Sequence, residues 1–188
     1  MKPIFTIHEG EYLVGSYIEE EFNDLHVWVP SKDIGVDLLV TDALNKKIVS
    51  LQVKFSKNYL ETHAPYSSKS HQENLTTCGW YKLYNNSIAR SKADFWVFIL
   101  RSSDQRNMKN MQYLIIEPYM LLKRLKKVYG EKNIYWLYFW VTKRGKCWDT
   151  RDLKKKDLSM IMTHEYHSET RDFTVFLNRW ELIKEKLS

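Results

Sequence analysis

The chain has little that would staple it, break it or seat it in a membrane. Cys78 and Cys147 are its two cysteines in 188 residues, too few for a disulfide framework and wrongly spaced for a zinc motif. Six glycines and four prolines leave few interruptions, so most of the chain is expected to be regular structure. No stretch reaches the roughly 18 apolar residues of a membrane helix. The N-terminal MKPIFTIHEGEY lacks the apolar core of a secretory signal. Neither a glycine-rich phosphate loop nor a G-x-S-x-G nucleophile turn occurs. Repeats and low-complexity linkers are also missing. The expectation is one cytoplasmic domain over residues 1–188, with no membrane and no small-molecule cofactor, and with a homodimer left open.

What the chain does have is positive charge, +6 overall with a pI of about 9.1. Much of it is local: between Lys123 and Lys156, twelve Lys/Arg face three acids, a net of +9. Lys123, Arg124, Lys143, Arg144, Lys146, Lys154, Lys155 and Lys156 are the candidates for a phosphate-binding surface. The competing reading is the solvated face of a helix and a hairpin. Seven Trp and twelve Tyr offer rings that could stack on bases, although large aromatics mostly fill cores.

Apolar spacing predicts a helix over 9–22, with Tyr12, Leu13, Tyr17, Ile18 and Phe22 recurring. Short strands follow over 25–29, 35–41 and 48–56, joined by tight turns that imply an antiparallel meander. The polar 57–77 is expected to be a loop, and 80–89 a helix. ADFWVFIL, 93–100, reads as a central strand, reached by a crossover that allows parallel pairing. A polar loop over 101–110 precedes a strand over 113–116. A helix over 117–129 is stopped by Gly130. A hairpin over 134–150 turns at Lys143-Arg144-Gly145, and 172–186 reads as a C-terminal helix. The class is α/β with a mixed sheet.

Period two sorts the third strand. Val49, Leu51, Val53 and Phe55 share one face, and Ser50, Gln52 and Lys54 the other. In the second strand Asp37, Leu39 and Thr41 share a face. Hairpin pairing would bring Asp37 near Gln52 and Lys54, so that a carboxylate, an amide oxygen and an ammonium converge. Mg²⁺ or Mn²⁺ wants oxygen ligands, which Asp37, Gln52 and the Val53 carbonyl can supply. Lys54 can then orient or deprotonate water, or stabilise charge on a phosphate. Such residues are also ordinary on a solvated strand face.

DIGVDLLV followed by IVSLQVKFS resembles the motif of the PD-(D/E)XK nuclease superfamily, which includes many restriction endonucleases and archaeal Holliday junction resolvases. Asp37 matches the family Asp, Gln52 the acid-or-Gln position and Lys54 the Lys. The resemblance implies a restriction endonuclease-like core of helix, three strands, helix and strand, with extra C-terminal strands and a helix. It also implies metal-dependent hydrolysis of DNA, with Glu11 on the first helix completing the metal site and Glu19 as second choice. Gln52 in place of the commoner acid brings an oxygen but no charge. Asp33, four residues before Asp37, is a lesser candidate. A catalytically silent nucleic-acid- or protein-binding module on the same fold is the alternative. His164 and His167 at i, i+3, with Cys147, are weak zinc candidates. His8, His26, His63 and His71 read as ordinary polar histidines.

Overall fold

The computed structural model describes residues 7–31, 34–56, 74–102 and 111–188. Asp33, His63, His71, most of the 57–77 loop and most of the 101–110 loop lie outside these. Helix α1 (Glu9–Glu21) is followed by β1 (Leu25–Trp28), β2 (Leu38–Asp42) and β3 (Ile48–Phe55), an antiparallel meander with Leu38 opposite Leu51. Strand β4 (Leu75–Tyr84) and a short helix α2 (Asn85–Ala89) lead to β5 (Phe95–Ser102). Then come β6 (Gln112–Ile116), α3 (Pro118–Tyr129), β7 (Ile134–Thr142), β8 (Cys147–Asp149), α4 (Lys155–Thr163), a 3₁₀ turn (Thr174–Phe176) and α5 (Glu181–Leu187).

Strand β5 organises the sheet. It runs parallel to β3, with Leu51 beside Phe95 and Phe55 beside Ile99. Its other edge pairs antiparallel with β6 over Trp96–Leu100, then with Thr77 and Cys78 of β4. Beyond β4 the order continues through β7 to β8. Phe95 to Leu100 are all buried, because both faces of β5 are covered. On one face Val97 and Ile99 pack with Val14 and Ile18 of α1 and Ile183 of α5. On the other Trp96, Phe98 and Leu100 pack with Tyr81 and Leu83 of β4, Phe139 of β7, and Leu121 and Leu125 of α3. Helix α1 comes close to the sheet at Gly10. A Cβ there would meet the Phe55 side chain at 2.8 Å, so a larger residue would push the helix off β3.

Two expected helices are corrected. Residues 80–84 belong to strand β4, and helix is confined to Asn85–Ala89. Tyr81 and Leu83 face the core while Trp80, Lys82 and Tyr84 face outward. Aromatic residues thus sit on both faces, which hides the strand alternation. The helix, three-strand, helix, strand order is therefore not followed literally: a ten-residue strand and a five-residue helix stand where one crossover helix was expected. Nor is 172–186 one helix. Asn178 adopts φ +52, and its N–H and side-chain oxygen both bond the Tyr113 backbone, at 2.6 and 2.8 Å. Helix resumes only at Glu181.

Candidate functional site

Asp37 lies just ahead of β2, where its N–H continues the ladder to the Leu51 carbonyl at 2.8 Å. Gly35, at φ +85, turns the chain into that strand, a backbone conformation that strongly favours glycine. The register places Asp37 next to Gln52. Gln52 Nε2 donates to Asp37 Oδ2 at 2.5 Å, and the Val53 N–H donates to the same oxygen at 2.7 Å. An ionised carboxylate only accepts, which fixes the amide with nitrogen toward Asp37 and Oε1 away from it. Asp37 Oδ1 has no hydrogen-bond partner among the described residues, and no cation is ion-paired to this half-buried carboxylate among them.

Lys54 follows Gln52 by two residues and projects from the same face of β3. Its ammonium lies 4.7 Å from the centre of the buried Trp96 ring, an arrangement that favours the cation. The Trp96 Nε1–H is held by Ser91 Oγ at 2.8 Å, so the platform beneath Lys54 is fixed. Next to Lys54 opens a cleft of about 290 Å³, lined by Lys54, Phe55, Ser56 and residues 80–83 of β4. A larger hollow, about 350 Å³, lies elsewhere, beside Asp24, Asp42 and Lys184.

Glu11 is not joined to this group by any described contact. Helix α1 covers the face of β3 carrying Val53 and Phe55, opposite to Gln52 and Lys54. The Glu11 carboxylate accepts the His8 N–H at 3.0 Å and so caps its own helix. Glu19 accepts the Val27 N–H at 3.0 Å. Among the described residues no three His, Cys, Asp or Glu side chains cluster as a metal-binding group. His164 ends α4 in left-handed backbone and His167 lies beyond it, so they share no helix face, while Cys147 is buried.

The basic candidates separate into distinct places. Lys143, Arg144 and Lys146 are exposed at the β7–β8 turn, Lys154, Lys155 and Lys156 at the start of α4, and Lys123 on α3. Arg124 is different. Its Nη1 donates to the carbonyls of Glu169, Thr170 and Asp172 at 2.9, 3.3 and 2.8 Å, and its guanidinium stacks near Phe173 and Phe176. Desolvation lowers its pKa, against the opposing charge of Asp172. It ties down the C-terminal segment rather than presenting charge to a ligand.

Sequence reasoning passed over Asp149, which is 1% exposed. The Tyr129 hydroxyl donates to its Oδ2 at 2.5 Å, the Arg151 and Tyr138 N–H groups approach Oδ1 at 3.2 and 3.4 Å, and Arg171 Nη1 stands 4.0 Å from Oδ2. Burial pushes its carboxyl up to about 6, although those donors and Arg171 pull the other way. Burial likewise raises the Tyr129 hydroxyl. The only sequence hint was an acid inside an apolar, strand-forming run.

No protein-family model, curated protein or solved structure matches the chain.

Proposed function

We propose that the chain is a Mg²⁺- or Mn²⁺-dependent phosphodiesterase acting on DNA, of the PD-(D/E)XK type. The observation that carries this reading is the Asp37 group: a half-buried carboxylate with one oxygen unoccupied among the described residues, opposite Gln52, beside Lys54. An anion so placed suits a cation. With a single carboxylate among the described residues, the donor set suits a Mg²⁺ ion that keeps most of its waters and is completed by the substrate phosphate. Asp37 Oδ1 and Gln52 Oε1 would hold it. When bound, the ion would polarise the phosphoryl group and activate water. Lys54, held as a cation over Trp96, would stabilise charge on the phosphate oxygens; the ring argues against its serving as the base. The Val53 N–H and the Gln52 amide would keep Asp37 oriented. The restriction endonuclease-like topology is supported by the antiparallel β1–β2–β3 meander and the parallel β3–β5 pair. The exposed lysines at the β7–β8 turn and the start of α4 would contact phosphates.

The second reading is a binding module without chemistry. It is favoured by the lack of a three-ligand acidic or histidine cluster among the described residues. Single-turnover cleavage of linear, branched and single-stranded DNA with Mn²⁺, and again in EDTA, separates the two. Metal-dependent cleavage is expected. Failure to cleave any form, with binding that still weakens steeply with salt, would overturn the enzymatic reading in favour of the module.

A further inference from the structure

The outer face of the β4–β7 ribbon is aromatic and basic together. Trp80 stands across from Tyr138, Lys82 across from Trp136, and Tyr84 across from Ile134. Trp80 and Trp136 lie with ring centres 4.8 Å apart. The Lys82 ammonium sits 5.0 Å from the Trp136 ring and 5.4 Å from that of Tyr84, which is 50% exposed. None of these six positions is acidic. Below the rim, a cleft lined by Ser56, Trp80 and Lys82 brings this face to Lys54, which shares a face of β3 with Gln52, the partner of Asp37. The Trp80 N–H donates to Ser56 Oγ at 3.3 Å, which ties β4 to the end of β3 at that point.

We propose that this face binds an unpaired nucleic-acid strand, with bases on Trp136, Tyr84 and Trp80 and phosphates on Lys82 and Lys54, leading it into the Asp37 site. Ring faces at a strand surface can reach only bases that are splayed out, because those of a duplex are stacked on one another. The Lys82 ammonium, between the Trp136 and Tyr84 rings, offers its charge to a phosphate beside a stacked base. This proposal deepens the nuclease reading by naming its substrate as DNA or RNA with an unpaired segment. Its recognition step requires no metal.

The test is fluorescence anisotropy in EDTA with labelled oligo-dT, oligo-rU and a blunt hairpin duplex of equal length, together with quenching of tryptophan emission. Oligo-dT or oligo-rU is expected to bind tighter than the duplex, the better of the two assigning the sugar. Trp136→Ala should weaken strand binding about ten-fold or more, and Lys82→Gln should flatten its salt dependence. Trp136→Phe, which keeps a ring, should restore most of the affinity and controls for folding. Equal or tighter duplex binding, or unchanged affinity in a folded Trp136→Ala variant, would overturn the proposal. So would quenching by a proline-rich peptide with no response to either oligonucleotide. Strand binding without cleavage would count against the nuclease reading alone, and cleavage with duplex preference against this one alone.

Discussion

Asp37 and Asp149 are the same residue at comparable places, one just ahead of a strand and one at a strand's end, yet they have opposite surroundings. Asp149 is enclosed, with Tyr129, two backbone N–H groups and Arg171 turned toward it. Asp37 is half-buried, and its two donors among the described residues fall on one oxygen. A carboxylate whose acceptor capacity is filled has been built into the structure. One with an oxygen left over among the described residues is the better candidate for a ligand. The difference separates a residue that holds the fold from the one to which the proposed function assigns the metal.

The sharpest way to break the comparison is to remove the groups at the open site. Asp37→Asn and Lys54→Ala should each lower single-turnover cleavage by about 10²–10⁴, with melting temperature nearly unchanged. Wild-type cleavage by a folded Lys54→Ala protein would remove it from the mechanism. The enclosed site should behave in the reverse manner. Asp149→Ala strands Tyr129 and Arg171 without their acceptor and should cost about 3–5 kcal/mol, seen in urea unfolding. Cleavage by the fraction still folded should persist.

The pH dependence sharpens it further. The Asp149 carboxyl titrates at about 6 in the folded chain against an ordinary value of 3.8. The folded state therefore binds that proton more tightly than the unfolded state. Its contribution to stability is greatest below about pH 4 and is lost as pH rises toward 6, on the order of 3 kcal/mol at 1.4 kcal/mol per unit. Stability measured against Asp149→Asn between pH 4 and 7 should show this decline. A difference flat in pH would mean that the carboxyl is not raised. The smallest effect concerns Glu11. If it serves as a helix cap, Glu11→Gln should cost under about 1 kcal/mol and leave metal-dependent cleavage within about two-fold. A loss of Mn²⁺ affinity on calorimetric titration would restore it to the metal site.

The meander and the placement of Asp37 beside Gln52 were legible because strict alternation survives in IVSLQVKF, where Val49, Leu51 and Val53 are buried and Gln52 and Lys54 are not. Gly130, at φ +72, ends α3 where the sequence placed the stop. Alternation failed at 80–84 because β4 carries large rings on both faces. Helical spacing of Phe173, Phe176, Leu177, Trp180 and Ile183 was outweighed by one residue, Asn178, whose bonds to Tyr113 turn the chain away from helix. Charge counting places a basic stretch but not the direction of any guanidinium, and Arg124 turns onto the Glu169 and Asp172 carbonyls instead of the surface. Asp149 was hard to single out because an acid in a short strand hints at burial but gives no sign of what will close over it.

The pairing of β4 with β7 has a consequence for how the chain reaches its structure. Residues 75–84 form their long ladder with residues 134–142, about fifty to seventy positions later, and β3 pairs with a strand roughly forty positions on. Such non-local pairings must close large loops before they are rewarded, so folding is expected in milliseconds to seconds rather than microseconds. On a ribosome, β4 would emerge well before β7, its aromatic edge lacking its main partner. That interval, more than any weakness of the finished core, is when the chain is most exposed to aggregation.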